Sequence, residues 1–398
     1  MPFHIPPDHL GLYVHIPFCA RKCRYCDFPS QPLDNNRHLI RDYLQALKIE
    51  AEMRRRELNR PVHSIYIGGG TPTLLTPEEI AYLWAEVLDP FPRIAEAEVS
   101  IEANPGTLTA AHAAVLAALP ITRVSLGAQS FHADELAMLG RIHTPAQIAE
   151  AVACLRAAGI RQLNLDLMYG LPGQTVARWA ETLQQALALA PEHLACYALI
   201  CEEETPLTRE IAAGIFTVPG EEEEMEMAAV TAACLAERGL VAYEVSNAAL
   251  PDAACRHNLG YWLGRDYLGL GSAAVSALGG VRWRNAEHTA TYLQRMTAGL
   301  AVVQYVERLS AADRLLERVM LGLRLREGFD LAAAEHDCAC RLAALAGDAM
   351  AQLCVQGLLA YRDGWLRLTS AGFPVANHVT AVFMLACMEA RGQAHEAR

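Results

Sequence analysis

The sequence predicts an α/β protein: a partial (β/α)6 barrel of the TIM type, followed by a small α+β domain that resembles a winged helix. Short runs rich in β-branched residues alternate six times with longer amphipathic segments, a pattern typical of consecutive β-α units and a parallel sheet. The spacing of these runs is uniform, which favours a barrel over an open doubly wound sheet. Because six units are found rather than eight, we expect the barrel to be partial.

The six predicted strands follow one another along the first half of the chain. They are L-Y-V-H-I at 12–16, S-I-Y-I at 64–67, V-S-I-E at 99–102, R-V-S-L at 123–126, N-L-D-L at 164–167 and A-C-Y-A-L-I at 195–200. The first two precede helical segments at 34–59 and 76–88, and each later strand precedes an Ala- and Leu-rich amphipathic segment. Strand and helix therefore alternate to about residue 219.

Polar and glycine residues gather where each predicted strand ends. They are His15, the G-G-G-T-P segment at 68–72, Glu102 with Asn104, Gln129, Asp166 and Tyr197. A turn would explain any one of these groups, since turns use Gly, Pro and Asn. Six groups in register instead predict a site at the mouth of the barrel, where the loops after the strands converge.

The rest of the chain is predicted to add two regions. The predicted domains are a core at 1–220, a helical and loop extension at 221–304 and a C-terminal domain at 305–398. From about Leu309, three helical stretches precede the segment 358–369, whose Asp363-Gly364 pair is a strong hairpin signal. This last domain carries no basic run, so we expect it to pack or to contact a partner rather than to bind DNA.

Composition narrows the function. A chain of 398 residues with 53% hydrophobic residues can bury a full core. Its 12 cysteines are scattered and no secretory signal pattern opens the sequence, so we expect a reducing, cytoplasmic location, with peripheral contact to a membrane left open. No membrane span is expected. The formal charge of -12 works against nucleic acid as a partner, and monomer and dimer are both compatible with the sequence.

Three cysteines, Cys19, Cys23 and Cys26, stand within eight residues directly after the first predicted strand. Structural zinc would need a fourth ligand, for which His15 or Asp27 is available. A [4Fe-4S] cluster would need only the three cysteines, because three thiolates can hold three irons and leave the fourth iron open to another ligand. The absence of a fourth cysteine favours the cluster, and the zinc site is kept as the alternative.

Several motifs together resemble those of radical S-adenosylmethionine (SAM) proteins. C-x3-C-x-Y-C after L-Y-V-H-I-P looks like the cluster loop of that family. With G-G-G-T-P, E-A-N-P, L-G-A-Q-S-F, L-D-L-M-Y-G-L-P and H-N-x-x-Y-W, the chain is similar to the oxygen-independent coproporphyrinogen III oxidase family, and within it most similar to the haem-chaperone branch, HemW. The resemblance covers nearly the whole chain, from about Leu12 to the C-terminal hairpin.

The resemblance implies a set of cofactors and the residues that bind them. Cys19, Cys23 and Cys26 would hold a [4Fe-4S] cluster whose open iron chelates SAM, and reduction would release a 5′-deoxyadenosyl radical. The positions that match SAM contacts of the family are Tyr13, Tyr25, Gly69, Gly70, Thr71, Glu102, Gln129, Arg141 and Asp166. An electron donor such as flavodoxin or ferredoxin is implied as a partner. Cleavage of SAM in function stays open, so no catalytic residue is assigned.

Two departures separate the chain from the oxidases that it resembles. The oxidases carry a further cysteine two places after the third, where this chain has Phe28. They also have an extension before the first strand, which here starts near residue 12. Both departures favour a haem chaperone that delivers haem to acceptor proteins. Radical decarboxylation of coproporphyrinogen III is kept as the alternative.

The motif H-N-L-G-Y-W at 257–262 is the position at which the resemblance implies binding of b-type haem. An exposed His257 beside aromatic rings would ligate the haem iron through its imidazole, and Cys255 would offer a thiolate instead. From the residues alone, the competing interpretation is a loop hydrogen-bond network around His257 and Asn258, with the motif's aromatic residues in the core. The resemblance favours haem.

Overall fold

The computed structural model describes residues 5–6, 8–33, 36–58 and 60–396, with side chains described as far as residue 389. Positions 34 and 59, the predicted ends of the first helical segment, lie outside the described residues, as do the outer ends of the first and last predicted domains. Within these ranges, no helix combines the length and the apolar character that crossing a membrane requires.

The described residues form strands and helices that alternate along most of the chain. The strands are β1 (Leu10–Ile16), β2 (Phe18–Cys19), β3 (Gln31–Pro32), β4 (Val62–Gly69), β5 (Arg93–Ala103), β6 (Arg123–Gln129), β7 (Gln162–Tyr169), β8 (His193–Ala198), β9 (Val241–Ala242), β10 (Asn247–Ala249), β11 (Tyr267–Leu270), β12 (Val275–Leu278), β13 (Val281–Asn285), β14 (Val303–Arg308), β15 (Phe329–Asp330), β16 (Leu359–Arg362) and β17 (Trp365–Leu368). The helices are α1 (His38–Glu57), α2 (Pro77–Tyr82), α3 (Ala110–Ala118), α4 (Ala133–Met138), α5 (Pro145–Ala157), α6 (Val176–Ala188), α7 (Pro206–Ala212), α8 (Glu221–Glu237), α9 (Arg256–Trp262), α10 (Thr289–Thr297), α11 (Ala311–Gly322), α12 (Leu331–Cys338), α13 (Ala343–Val355) and α14 (Ala376–Glu396).

One large sheet of 12 strands, with the order β14-β13-β12-β11-β1-β4-β5-β6-β7-β8-β10-β9, organises the molecule. Its centre is the run β1-β4-β5-β6-β7-β8, in which every neighbouring pair is parallel. The six β-α units predicted from the sequence are therefore confirmed. In the described part of the chain the strand order is open at both edges, as a partial barrel requires.

The two faces of the parallel strands differ in polarity. Leu12, Ile65, Ile101 and Leu126 lie on one face and pack with the surrounding helices in the main core. Polar side chains occupy the intervening positions, because successive side chains of a strand point to opposite faces. The strand register sets them side by side: Ser64 opposite Glu98, Ser100 opposite Arg123, and Ser125 opposite Asn164. We call this polar side the inner face.

The region 221–304, predicted as a helical and loop extension, contributes strands as well as helices. β11 pairs in parallel with β1, and β12, β13 and β14 extend the sheet in antiparallel fashion. At the other edge, β10 pairs in antiparallel fashion with β8. Strands β9 to β13 were missed because they are only two to five residues long. For β10 and β11, the partners β8 and β1 are also distant in sequence. Helix α9 packs against β4.

The C-terminal region, α11 to α14 with β15 to β17, has a hydrophobic core of its own. Three of its helices precede the predicted hairpin, which is confirmed: β16 and β17 are joined by Asp363 and Gly364, whose φ values are 53° and 86°. Positive φ at both central residues is what a tight hairpin turn of this kind requires. The three predicted domain boundaries stay predictions.

Candidate functional site

The three cysteines lie on one loop beyond the carboxyl end of β1. Cys19 ends β2, which pairs in parallel with β3, and this pairing closes the loop that runs from residue 20 to residue 30. Cys23 and Cys26 lie inside the loop, where the backbone N–H of Cys26 donates to the carbonyl of Cys23 over 3.3 Å. All three thiols are partly buried, and none is in a disulfide. One short segment thus presents three sulfur donors.

Arginine side chains fasten the cysteine loop to the segments beside it. Arg21 donates to the carbonyl of Gly140 through Nε and Nη2, over 3.1 and 2.6 Å. Arg24 donates to the carbonyl of Met138 over 3.2 Å and forms an ion pair with Glu210. The loop is therefore held on one side by the residues at the end of α4 and on the other by α7.

The surroundings of the thiols suit iron ligation. Thr71 Oγ1 donates to Cys19 Sγ over 3.7 Å, and Arg141 Nη1 donates to Cys23 Sγ over 3.6 Å. Burial raises the pKa of the Cys19 thiol and raises the pKa of Cys26 to about 11. These thiols therefore hold their protons until a metal displaces them. A hydroxyl and a guanidinium beside the sulfurs would then stabilise the thiolates.

The geometry does not favour the zinc alternative. Among the described residues, no three His, Cys, Asp or Glu side chains are grouped so that they could hold one ion. His15, one candidate for the fourth ligand, already uses both ring nitrogens: Nδ1 lies 2.9 Å from the Tyr13 hydroxyl, and Nε2 lies 2.9 Å from the Pro29 carbonyl. An iron-sulfur cluster makes a different demand, because each thiolate binds its own iron. The three sulfur donors fit such a cluster.

The glycine segment after β4 packs closely against the start of the cysteine loop. The N–H of Gly70 donates to the carbonyl of Ile16 over 2.8 Å. A Cβ on Gly70 would lie 2.6 Å from the carbonyl oxygen of Phe18, and a Cβ on Gly69, whose φ is +110°, would lie 2.5 Å from the His15 ring. Neighbouring protein atoms therefore require glycine at both positions, whereas the sequence suggested only close approach of a ligand.

Two partly buried carboxyl groups, those of Glu102 and Asp166, lie on the inner face of β5 and β7. Glu102 accepts hydrogen bonds from the Tyr66 hydroxyl over 2.9 Å and from the Gly69 N–H over 3.0 Å. Burial, with the charge of Asp166 adding to it, raises the pKa of Glu102 to about 7. Burial also raises the pKa of Asp166. A carboxyl group that titrates near neutrality between two fixed donors is a candidate binding group.

Gln129 and Arg141 come from the end of β6 and from the residues after α4. Gln129 has a φ of 66°, in the left-handed region that few residues with side chains adopt, and such backbone geometry points to a functional constraint. Arg141 Nη2 donates to the carbonyl of Gly127 over 2.6 Å. Its buried Nε has no hydrogen-bond partner within the described ranges. The guanidinium is thus fixed beside Cys23 with one donor unused.

The two tyrosines expected at the cofactor are both positioned by protein contacts. Tyr13 on β1 meets His15 through its hydroxyl, and its ring stacks on Tyr66 with 6.4 Å between the centroids. Tyr25 lies in the cysteine loop and packs on an apolar cluster that includes Leu139. Burial raises the pKa of both hydroxyls. Tyr25 lies between Cys23 and Cys26 in the chain. Tyr13 lies against Tyr66, which donates a hydrogen bond to Glu102.

His257 is not exposed, as the haem prediction assumed. Its side chain is 3% exposed, Nδ1 lies 2.9 Å from Ser64 Oγ, and Nε2 lies 3.0 Å from the Tyr261 hydroxyl. The ring stacks on Tyr66 with 5.2 Å between the centroids. Burial lowers the pKa of His257 to about 3. Both nitrogens are engaged inside the protein, so neither is free to ligate iron in this structure. The expectation of an exposed ligand is therefore wrong.

Cys255, the alternative haem ligand, is buried on the inner face as well. Its Sγ donates to Glu98 Oε1 over 3.4 Å, and the same carboxylate accepts from the backbone N–H of Arg256 and of His257 over 3.0 and 3.1 Å. Burial raises the pKa of Cys255 to about 12. The start of α9 is thus fixed to β5 through Glu98.

The polar residues that support this site were missed from the sequence. Tyr66 joins Glu102 to His257, and Asn164 donates to both Ser125 and Asp166 over 2.7 Å. A signal was present, because polar residues occupy every second position in strands such as N-L-D-L and V-S-I-E. In strands buried on both sides, that alternation marks a polar interior rather than a solvent-exposed face.

Two family models match the chain. The model of the radical SAM superfamily matches residues 13–186, and that of the HemN C-terminal domain matches residues 309–375. The first range contains the cysteine loop and the inner-face carboxyl groups, and the second contains the C-terminal helices and hairpin.

Curated relatives match over most of their length. The chain is 36% identical to the heme chaperone HemW of Mycobacterium tuberculosis over 96% of this chain and 96% of that protein. It is 32% identical to the heme chaperone HemW of Lactococcus lactis over 94% of this chain and 97% of that protein. With the heme chaperone HemW of Escherichia coli the identity is 34%, over 81% of this chain and 84% of that protein.

Among solved structures, the coproporphyrinogen III oxidase HemN from Escherichia coli, described as a radical SAM enzyme, matches with a TM-score of 0.83. The sequence identity is 25%, and the match covers 95% of this chain and 91% of that one. The structural likeness and the full-length relatives agree. The chain belongs to the radical SAM superfamily, in the HemN-like family of the proteins named heme chaperone HemW.

Proposed function

We propose that the chain is a haem chaperone of HemW type. In this proposal Cys19, Cys23 and Cys26 hold a [4Fe-4S] cluster, SAM binds beside the cluster, and the protein binds haem and delivers it to acceptor proteins. The observation that carries the proposal is a loop with three sulfur donors, packed against the glycine segment that binds the Glu102 carboxyl group, in a chain whose full-length relatives are named for haem chaperoning.

The residues of the chain have separable roles in this proposal. When bound, the cluster supplies an electron-transfer centre with one iron open to the amino and carboxylate groups of SAM. Arg141 would balance the negative charge of the Cys23 thiolate, which its guanidinium already contacts. Glu102, oriented by Tyr66 and Gly69, would accept a hydrogen bond from a hydroxyl or amino group of the cofactor.

The remaining proposed SAM contacts come from the parallel strands and from the loops that follow them. They are Tyr13, Tyr25, Gly70, Thr71, Gln129 and Asp166. Their placement supports cofactor binding in two ways. The backbone of Gln129 is held in an uncommon conformation at a strand end, and Asp166 is close enough to Glu102 to raise its pKa. Two carboxyl groups in such a position favour a ligand with several hydroxyl or amino groups.

The second candidate function is oxygen-independent oxidation of coproporphyrinogen III. The observation that favours it is the likeness to the HemN structure over 95% of this chain. Against it stands Phe28, which is 55% exposed at the place where the oxidases are expected to carry a further cysteine. We therefore rank the oxidase second.

Haem and porphyrinogen additions to the same protein test this ranking. The protein is prepared without oxygen, its cluster is reconstituted, and haem is added to one portion and coproporphyrinogen III with reductant to another. We expect a shifted Soret band in the first portion and unchanged porphyrinogen in the second. Decarboxylation without a Soret shift would establish the oxidase instead. Colourless protein without iron would support the zinc scaffold.

A further inference from the structure

The segment that leads from β1 into the cysteine loop is held by its backbone carbonyls. Three of them accept hydrogen bonds from backbone N–H groups, each over 2.8 Å: Ile16 from Gly70, Pro17 from Gln31, and Phe18 from Thr71. The carbonyl of His15, the first of the series, accepts instead from a side chain, the hydroxyl of Tyr43 on α1, over 2.8 Å. This bond is therefore the one in the series that a side-chain substitution can remove.

The Tyr43 hydroxyl joins two backbone groups that a parallel ladder would join directly. β1 and β11 pair in parallel as far as Val14 and Leu270, and the next bond of this register would run from the N–H of Ser272 to the carbonyl of His15. Instead, the Ser272 N–H donates to the Tyr43 oxygen over 2.9 Å, and the hydroxyl donates to the His15 carbonyl. A hydroxyl carries one proton and a carbonyl can only accept, so both directions are fixed. Tyr43 thus bridges β1 and the segment after β11 just before the cysteine loop.

The segment after β11 is itself fixed on α1, two turns beyond Tyr43. Gly271 has a φ of 101°, and a Cβ there would overlap the Tyr43 hydroxyl, so the close approach requires glycine. The Gly271 N–H donates to Oε2 of Glu50 over 2.8 Å. Asn285 and Tyr292 donate to the same carboxyl group, each over 2.7 Å. The segment is therefore anchored through Glu50, and Tyr43 passes that anchor on to β1.

The ring of His15 carries the same connection to the far end of the cysteine loop. Its Nε2 donates to the carbonyl of Pro29 over 2.9 Å, because a carbonyl can only accept. Burial lowers the pKa of His15 and keeps the ring neutral, so Nδ1 accepts from the Tyr13 hydroxyl over 2.9 Å. His15 precedes Cys19 by four residues, and Pro29 follows Cys26 by three. One residue, whose backbone Tyr43 holds, thus connects both ends of the loop.

We propose that Tyr43 is a positioning residue for the cysteine loop: its hydroxyl fixes the carbonyl of His15 against the segment after β11 and thereby sets the spacing of the three sulfurs. The proposal rests on the proposed function, because it takes these sulfurs to be the ligands of a cluster. Three thiolates that bind three irons of one cluster must stand at set distances, and such a site depends on the residues that support it. Tyr43 is fully buried, as is Ser272, so loss of the hydroxyl leaves buried backbone groups without their partner.

Hydrogen exchange of the cluster-free protein tests the bridge directly. In Tyr43→Phe we expect the amides between residues 15 and 30 to exchange about tenfold faster than in the wild type. Tyr292→Phe is the matched control: Tyr292 is also fully buried, its ring lies 5.4 Å from that of Tyr43, and its hydroxyl donates to Glu50 rather than to β1. It should lower the free energy of unfolding by a similar amount and leave exchange between residues 15 and 30 at the wild-type rate.

The reduced cluster gives a second readout, which a loss of stability alone would not change. Wild type, Tyr43→Phe, Tyr292→Phe and Ser272→Ala are reconstituted, and their electron paramagnetic resonance spectra and midpoint potentials are compared. We expect a changed spectrum and a shifted potential in Tyr43→Phe alone, because the surroundings of the thiolates tune the cluster. Ser272→Ala keeps the backbone N–H that donates to Tyr43, so it should match the wild type in both measurements.

The outcomes separate this inference from the proposed function. Equal exchange rates between residues 15 and 30 in Tyr43→Phe and Tyr292→Phe, or equal potentials in the two variants, overturn the inference and leave the haem chaperone standing. A wild type that takes up no iron-sulfur cluster overturns the proposed function, and exchange of the cluster-free protein still decides whether Tyr43 holds the loop. Should Tyr43→Phe not fold, the wild type decides alone: its Ser272 amide should exchange as slowly as the amides of β11, and fast exchange there would overturn the bridge.

Discussion

The two ends of the parallel strands differ in how their polar groups are satisfied. Near the carboxyl ends, Glu102 has two donors and Arg141 is fixed on a carbonyl and a sulfur, so the groups are already oriented. At the amino end of β4, His63 is buried with no partner in the described residues. Preorganised groups suit a cofactor that stays bound.

The inner face connects the two ends through aromatic rings. Tyr13 stacks on Tyr66, Tyr66 on His257, and His257 meets the Tyr261 ring, with centroid distances of 6.4, 5.2 and 4.8 Å. All four side chains make hydrogen bonds within the protein. Variants at each end test whether this connection leaves the two ends independent.

The largest effect should come from the cysteine loop. In Cys23→Ala we expect complete loss of the iron-sulfur absorbance and of bound iron and sulfide, because a cluster held by three thiolates has no substitute for one of them. Haem uptake should partly survive, since the H-N-L-G-Y-W motif at 257–262 lies outside the cysteine loop. Anaerobic absorbance spectra and iron analysis measure the first property, and a haem titration measures the second.

Cys201→Ala is the control for this loss, because Cys201 is exposed and outside the cysteine loop. It should keep both cluster and haem. Suppose instead that Cys23→Ala stays folded but loses both the cluster and haem binding. Cluster and haem would then share one site, and the proposed independence of the two ends of the parallel strands would be wrong.

The carboxyl-end residues were largely predictable from the sequence, and the unpaired burial of His63 at the amino end of β4 was not. Cys19, Cys23 and Cys26 are close in the chain, so their spacing alone predicts a binding site for a [4Fe-4S] cluster. The β-α repeats follow from a local alternation of residue types. Glu102 and Asp166 stand near the ends of regular strands, and a parallel sheet brings such positions to one edge.

Hydrogen-bond partners that are distant in sequence could not be predicted. Ser64 forms a hydrogen bond with Nδ1 of His257, although the two residues are 193 positions apart in the sequence. The sequence around either residue therefore does not show that this ring nitrogen already has a partner. His63 shows the opposite case: in the sequence it is one more histidine before a strand, and only burial without a partner marks it. The same limit hid β11, which pairs with β1 across more than half of the chain.

Glu102 should give the carboxyl end a characteristic pH dependence of stability. The difference between its pKa of about 7 in the folded protein and its ordinary value of 4.5 corresponds to about 3 kcal/mol. Since the folded state binds this proton more tightly, that stabilisation is full below about pH 4.5 and is lost as the pH rises through 7. Glu102→Gln should lack the loss, and denaturant unfolding of both proteins across this range measures it.

Glu86→Gln is the matched control, because Glu86 is half exposed in an ion pair with Lys48. Its unfolding free energy should follow the wild type across the same pH range. A constant difference between wild type and Glu102→Gln at every pH would mean that Glu102 has the same pKa in the folded and the unfolded protein, and the burial argument would be wrong.

A smaller effect is expected on the affinity for SAM. Glu102→Ala removes the acceptor of the Gly69 N–H and the Tyr66 hydroxyl together with the proposed contact to the cofactor. We expect the affinity to fall about tenfold, which is about 1.4 kcal/mol, as measured by calorimetry on cluster-loaded protein. His63→Ala should bind SAM as the wild type does, and weaker SAM binding in that variant would contradict the independence of the two ends.

The smallest effect should come from adding a methyl group beside His63. Gly260→Ala places a Cβ 3.3 Å from His63 Cε1, a tight contact that the unbonded ring can relieve by a small shift. Alanine gains up to about 1 kcal/mol over glycine inside a helix, so the two effects oppose each other and the free energy of unfolding should change little. Gly347→Ala in α13, where the new Cβ would make an ordinary 3.7 Å contact, is the matched control and should gain the helix stabilisation without the tight contact. Denaturant unfolding of both variants measures the difference. A large loss of stability in Gly260→Ala alone would show that the His63 ring cannot shift.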